Sequence, residues 1–162
     1  MLENERSFLV KDLTIVMPVK REPISQHYLT QGKEPLRLRR RGDKFELTQK
    51  KRVTQDDLSR QEETTLMVDE RMYNALAPLA VRSLTKTRSY LFLDNGLVAE
   101  IDVFQGPLEG LLMVEVEFPN EAAREAFVPP DWFGRDVSQE EWSSNAFLAG
   151  KTFEEIEHFV KG

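Results

Sequence analysis

The sequence predicts an α+β protein that is mainly β, built on about eight antiparallel strands with helices packed outside them. Charged side chains recur at every second residue in seven segments, and alternate residues of a strand lie on one face. Turn residues join several of these segments into hairpins, and capped helices follow the last strand. Because the charged faces carry both signs, we expect them to close on one another as an eight-stranded antiparallel β-barrel, which leaves no exposed edge.

The N-terminal segment predicts a strand over residues 2–10, with Glu3 and Glu5 on one face. The next apolar run, residues 14–19, is interrupted by a proline. A short strand is expected over residues 26–29, before a turn-rich segment.

Two hairpins are predicted in the middle of the chain. Each has a glycine-containing turn, and the Asn-Gly of the second favours a tight primed turn. Strands over 59–67 and 111–118 complete the set. The hairpins pair 36–41 with 45–50 around Gly42, and 84–93 with 97–105 around Gly96.

Helical spacing is first predicted over residues 68–79. Apolar side chains recur there at intervals of three and four residues, which places them on one stripe. The members of this stripe are Val68, Met72, Leu76 and Leu79.

Three helices are predicted after the last strand from their capping residues. Asn120 caps a helix over 121–127, which stops before two prolines. Capping-box patterns then start two more helices, one of which ends near residue 150. These patterns are Ser138 with Glu141 and Thr152 with Glu155.

The composition favours a globular protein that is not attached to membranes. The 162 residues fit one domain, 1–162; 40% are hydrophobic and 31% are charged. The absence of cysteine agrees with a reducing compartment, and we expect a cytoplasmic protein without a signal peptide. The net charge of −6 argues against binding of duplex nucleic acid, which needs a basic face.

Like charges lie two residues apart on several predicted strands. For one strand, this is typical of the water-facing side of a half-buried sheet. The sorting into acidic and basic pairs instead favours bound counterions, because divalent cations prefer carboxylate oxygens and phosphates suit arginine and lysine. A metal-bound polyphosphate satisfies both. The acidic pairs are Glu3/Glu5, Glu100/Asp102 and Glu115/Glu117, and the basic pairs are Arg37/Arg39 and Lys86/Arg88.

The pattern Glu3-Asn4-Glu5 resembles the ExExK opening of the CYTH, or triphosphate tunnel metalloenzyme, superfamily. Further motifs follow in the family's order over nearly the whole chain, and they are most similar to the short bacterial branch that includes tripolyphosphatases. These motifs are Leu36-Arg37-Leu38-Arg39, Leu47-Thr48-Gln49-Lys50, Ser59-Arg60-Gln61-Glu62, Thr85-Lys86-Thr87-Arg88, Glu100-Ile101-Asp102 and Val114-Glu115-Val116-Glu117.

The resemblance implies a barrel that forms a triphosphate tunnel, with a C-terminal helix near one tunnel end. It implies one or two bound Mg²⁺ or Mn²⁺ ions and a small-molecule polyphosphate or nucleotide substrate. Lys86 and Glu62 are implied to act in catalysis, although Glu62 fits metal binding equally well. The implied metal ligands are Glu3, Glu5, Asp102, Glu115 and Glu117, and the implied substrate-binding residues are Arg37, Arg39, Lys50, Arg60, Lys86 and Arg88.

The sequence is therefore compatible with three functions. The first is metal-dependent hydrolysis of tripolyphosphate or a nucleoside triphosphate. The second is triphosphate or nucleotide binding with little turnover, because Ser7 stands where the family has a lysine and Thr64 where it often has an acid. The third is a class IV-type adenylate cyclase. A homodimer remains open.

Overall fold

A computed structural model describes residues 2–14 and 17–162, and its centre is a closed barrel of eight antiparallel strands. The order around the barrel is β5-β4-β3-β2-β6-β7-β8-β1, and β1 pairs back onto β5. A ninth strand pairs with β1 outside the barrel. The strands are β1 Leu2–Val10, β2 Lys20–Tyr28, β3 Leu36–Arg41, β4 Lys44–Thr54, β5 Asp57–Val68, β6 Arg82–Phe92, β7 Val98–Phe104, β8 Leu112–Phe118 and β9 Phe133–Asp136.

The predicted fold class is confirmed, and the strand boundaries show where the sequence was less informative. β2 is much longer than the predicted 26–29, because its first half continues through a proline while it pairs with β6. β9 was not predicted, since its four residues carry no alternating pattern. The apolar run 14–19 lies partly outside the described residues.

Four α-helices accompany the barrel within the described residues, and two predicted helices differ from those observed. They are α1 Glu70–Leu76, α2 Glu121–Ala126, α3 Asn145–Leu148 and α4 Phe153–Lys161. Asn120 caps α2, and the Thr152–Glu155 capping box starts α4, as predicted.

The apolar stripe predicted on the first helix is wrong. In α1 the buried side chain is Tyr73, whereas Met72 and Leu79 are exposed. The Tyr73 ring packs on Phe45, and its hydroxyl lies 2.7 Å from His27 Nε2. The contacts of Tyr73, rather than the aliphatic residues, therefore orient this helix of two turns.

The helix predicted to start at Ser138 is also wrong. The Ser138 hydroxyl accepts a hydrogen bond from the Ser7 backbone N–H (2.9 Å) and donates one to Asp136 (2.5 Å), so it is not available as a cap. A 3₁₀ turn covers Glu141–Ser143, and α3 begins only after Ser144, which caps it.

The apolar core lies outside the barrel and at one end of it. On the outer faces of β1, β7 and β8, aliphatic side chains pack against Phe127, Trp132 and Phe133. At the end where β6 begins, Trp142 and Ile156 belong to the apolar cluster that holds the C-terminal segment. With apolar residues placed outside, the barrel interior is left to polar and charged side chains.

Replacing Ile156 tests how far the C-terminal helix supports the barrel. Ile156→Ala removes a side chain that is 1% exposed and leaves a cavity, so we expect a loss of about 2–5 kcal/mol in unfolding free energy in urea titration. Val128→Ala is the matched control, because Val128 is 84% exposed and its truncation should change stability by less than about 0.5 kcal/mol. Equal losses for both variants would contradict this placement of the core.

Candidate functional site

A cavity of about 370 Å³ occupies the barrel interior, and its wall is charged. Alternate residues of the closed sheet point inwards, so each inward-facing pair of like charges reaches the same space. Nine of the predicted site residues line this cavity. They are Glu3, Glu5, Arg37, Arg39, Lys50, Lys86, Arg88, Glu115 and Glu117.

Most of the acids and most of the cations occupy different arcs of the wall, with Glu46 of β4 placed among the cations. The acidic arc is formed by the adjacent strands β7, β8, β1 and β5, and the basic arc by β6, β2, β3 and β4. The acidic arc presents Glu100, Glu115, Glu117, Glu3, Glu5 and Glu63. The basic arc presents Lys86, Arg88, Arg37, Arg39, Arg41, Lys50 and Arg52.

Lys50 joins the two arcs where β4 meets β5. Its Nζ lies 2.8 Å from Glu3 Oε2 and 3.7 Å from Glu63 Oε2. Burial lowers the pKa of Lys50, but Glu5 and Glu3 outweigh it, so the pKa is raised above its ordinary value and the ammonium stays charged.

The acidic arc holds more negative charge than its cations neutralise. Burial, together with the charges of Glu115 and Glu117, raises the pKa of Glu5 to about 7 against the effect of Lys50. Burial also raises the pKa of Glu3 to about 7 against the effect of Lys50, and that of Glu117 to about 7 together with Glu100. These groups thus resist full ionisation until a cation joins them.

The donor set fits a hard divalent cation. Carboxylate oxygens are the ligands that Mg²⁺ and Mn²⁺ prefer, and such an ion would relieve the repulsion that raises these pKa values. Within residues 2–14 and 17–162, no three acidic side chains are already arranged as a cation-binding group. Binding would therefore require the carboxylates to move together.

Arg37 is the basic residue best placed to receive an anion from outside the protein. Its guanidinium lines the cavity, and its buried Nε has no hydrogen-bond partner within the described part of the chain. A buried donor without a partner is costly, so this position favours a bound acceptor such as a phosphate oxygen. Arg39, by contrast, donates to Glu46 Oε2 at 2.6 Å and 3.0 Å.

Asp102 is placed differently from the prediction that made it a metal ligand. It does not line the cavity, and it is 1% exposed. Its oxygens accept hydrogen bonds from Lys86 Nζ (2.6 Å) and from Arg88 (2.8 Å and 2.9 Å). Against the effect of burial, Arg88 and Lys86 lower the pKa of Asp102 to about 2, so it orients these cations instead.

The prediction for Arg60 and Glu62 is wrong about their position, because neither residue lines the cavity. Glu62 lies in a separate groove, and Arg60 is 3.7 Å from Glu121 of α2. The inward residues of β5 are instead Gln61 and Glu63. These positions are one residue out of phase with the predicted ones, and a shift of one residue moves every side chain of a strand to the other face.

Glu63 was not predicted to line the cavity, although its place in the hairpin formed by β4 and β5 indicates that it does. Lys50 pairs directly with Glu63, and residues opposite each other in an antiparallel pair share a face. The carboxylate of Glu63 accepts a hydrogen bond from Thr65 Oγ1 (3.0 Å). Against the effect of burial, its hydrogen bond with Glu3 and the charge of Lys50 lower its pKa to about 2. Glu3 and Glu63 therefore influence each other's protonation at the edge of the acidic arc.

None of the helices in the described ranges combines the length and apolar character required to span a bilayer. A scan against protein-family models finds no match.

Comparison with known proteins gives relatives that span most of the chain. An inorganic triphosphatase of Nitrosomonas europaea is 38% identical over 152 residues, which cover 92% of this chain and 97% of that protein. A crystal structure of an inorganic triphosphatase superposes with a TM-score of 0.67 at 35% identity, covering 91% of this chain and 93% of the other. A Hippeastrum adenylyl cyclase-type protein with a dominant triphosphatase activity shares the fold alone, with a TM-score of 0.54, 13% identity and coverage of 74% and 81%.

The raised carboxyl pKa values predict an unusual dependence of stability on pH. In the folded protein the pKa values of Glu3, Glu5 and Glu117 are about 7, whereas the ordinary value for glutamate is 4.5. Between these two pH values the folded state therefore binds protons more readily than the unfolded state. With a chelator present to remove metal ions, the melting temperature should rise as the pH falls from 8 to 5. The rise should be about 2–4 °C for each kcal/mol gained in unfolding free energy.

Below pH 4.5 the trend should reverse, because Glu63 and Asp102, both with a pKa of about 2, lose their charge as the pH falls further. Glu117→Gln removes one of the raised groups and should reduce the gain between pH 8 and 5. A melting temperature that only decreases from pH 8 to pH 5 would contradict the crowding of these carboxylates.

Proposed function

Because the chain belongs to the inorganic triphosphatase family, with the CYTH-type barrel of that family, we propose that it hydrolyses a triphosphate inside its barrel with the help of Mg²⁺ or Mn²⁺. The observation that carries this proposal is the cavity inside the closed barrel, where an acidic arc faces a basic arc. Inorganic tripolyphosphate is the first substrate to test, in keeping with the relatives. The absence of cysteine is consistent with the cytoplasmic location predicted for this protein.

The basic arc would bind and orient the phosphate chain. Arg37 offers a buried Nε that has no partner among the described residues, whereas Arg39 and Lys50 would exchange carboxylate partners for phosphate oxygens as the substrate enters. Lys86 and Arg88, both held by Asp102, lie where β6 meets the acidic arc. Their fixed positive charges would stabilise the charge that builds up on the phosphoryl oxygens in the transition state.

The acidic arc would hold the metal ions through Glu3, Glu5, Glu115 and Glu117, with Glu63 and Glu100 beside them. When bound, the metal would supply Lewis-acid assistance and lower the pKa of the attacking water. The reaction breaks one P–O–P bond of the substrate, transfers the water oxygen to the terminal phosphorus and releases phosphate and pyrophosphate. Glu63, which lines the cavity beside these glutamates and lies 3.7 Å from Lys50, is the carboxylate that we propose to take the proton of the water.

Binding without turnover is the second candidate, and it is favoured by Ser7. This residue lines the cavity next to the acidic arc, yet its short hydroxyl brings no positive charge to the substrate. The enzyme and the binding protein differ in one measurement, which is the release of phosphate.

Phosphate release therefore tests the proposed function directly. The purified protein should release phosphate from tripolyphosphate when Mg²⁺ or Mn²⁺ is present, and chelation should abolish the release, because the carboxylates alone repel the substrate. ATP and thiamine triphosphate serve as comparison substrates. Tight calorimetric binding without phosphate release would favour the binding protein, and cyclic AMP formed from ATP would favour the cyclase.

Two adjacent residues on opposite faces of β5 provide a matched test of the site. Glu63→Gln removes the charge that faces Lys50 inside the cavity, so kcat/KM for tripolyphosphate should fall by about tenfold or more, equivalent to about 1.4 kcal/mol. Glu62→Gln removes the same charge outside the barrel and should change kcat/KM by less than about twofold. A larger loss in Glu62→Gln than in Glu63→Gln would instead support the sequence-based prediction that Glu62 faces the cavity.

A further inference from the structure

We propose that Lys33 and Arg52 form a further phosphate subsite, which the Glu141 carboxylate occupies in the free protein, and that this subsite admits linear polyphosphates of four or more phosphates. The inference rests on the proposed function, because the subsite is a continuation of the same cavity. It names Glu141 as a residue that determines chain-length specificity.

One carboxylate joins two cations from different elements at this position. Glu141 Oε1 lies 3.3 Å from Lys33 Nζ, and Glu141 Oε2 accepts a hydrogen bond from Arg52 Nη2 at 3.1 Å. Lys33 belongs to the loop between β2 and β3, Arg52 to the far end of β4, and Glu141 to the 3₁₀ turn before α3. All three side chains line the cavity. The carboxylate thus has the position that a phosphate of the substrate would take.

The subsite continues the basic arc towards the end where the C-terminal segment lies. On β4, Arg52 follows Lys50 on the same face, and residues two apart in a strand are separated by about 6.5–7 Å. On β3, Arg39 and Arg37 lead towards the loop that carries Lys33. A polyphosphate repeats the same anion along its length, so an added phosphate would extend from Arg37 and Lys50 towards these two cations.

Glu141 can leave its partners at small cost. Its side chain is 50% exposed and that of Lys33 is 71% exposed, and ion pairs between exposed side chains contribute little net free energy. Arg52 is more firmly placed, because its side chain is 12% exposed and its backbone N–H donates to Glu34 Oε1 at 2.9 Å. The guanidinium would therefore remain in position and offer its paired N–H groups to a phosphate.

The test compares linear tripolyphosphate and tetrapolyphosphate on the same variants, with kcat/KM measured in Mg²⁺. Glu141→Gln removes the competing carboxylate charge, so the ratio of tetrapolyphosphate to tripolyphosphate kcat/KM should rise by about two- to fivefold. Arg52→Gln removes the stronger phosphate donor and should lower this ratio by about tenfold. Arg52→Lys should restore part of the ratio. Glu125→Gln, a charge loss on the exposed side of α2, should leave the ratio unchanged.

An unchanged ratio in Glu141→Gln, or equal losses with both substrates in Arg52→Gln, would overturn the subsite while leaving the proposed function intact. Absence of tripolyphosphate hydrolysis by the unmodified protein would instead contradict the proposed function. In that case the calorimetric dissociation constants of the two polyphosphates, measured on the same variants, still test the subsite through their ratio. Thermal melting of each variant distinguishes a lost contact from a lost fold.

Discussion

The pairing of β1 with β5 is the constraint on which the rest of the structure depends. Three residue pairs, beginning with Leu2 opposite Glu62, convert an open sheet into a barrel. Without this closure, Glu3 would face water far from Lys50. With it, the two charges, on the strands that flank β5, come within 2.8 Å of each other on the cavity wall. Enclosure reduces hydration, so the remaining charges interact strongly and burial dominates their protonation.

The cavity is not electrically balanced, and the imbalance is distributed unevenly. Asp102 accepts hydrogen bonds from both Lys86 and Arg88, which fixes their positions and offsets part of their positive charge. Arg37 retains an unpaired donor, and the carboxylates around Glu5 repel one another. A preformed and fully paired network would have no need of a ligand. These unmet electrostatic demands are what a metal-bound anion can satisfy.

The alternation of charge, together with the family resemblance, predicted the barrel and most of the cavity wall. The charged pairs of β1, β3 and β8 lie on one face of each strand, and this inward face could be assigned correctly. β5 has polar residues on both faces, so alternation alone does not set its phase, and Glu62 was chosen in place of Glu63. Asp102 was misjudged for another reason, since an acid that supports cations has the same sequence pattern as one that binds a metal. The Glu141 contact joins parts of the chain separated by 89 and 108 residues, which no local pattern can indicate.

The position of β1 between β5, β8 and β9 also affects biosynthesis. β1 is translated well before its partners on two sides, which are residues 112–118 and 133–136. These pairings, and with them the closed barrel, can form only when the later segments have emerged. Contacts between residues so distant in sequence slow folding, because loop closure precedes any gain from pairing. The same arrangement places the last assembly step next to the glutamates of β1, so a chain interrupted before β8 would lack the wall on which those glutamates rely.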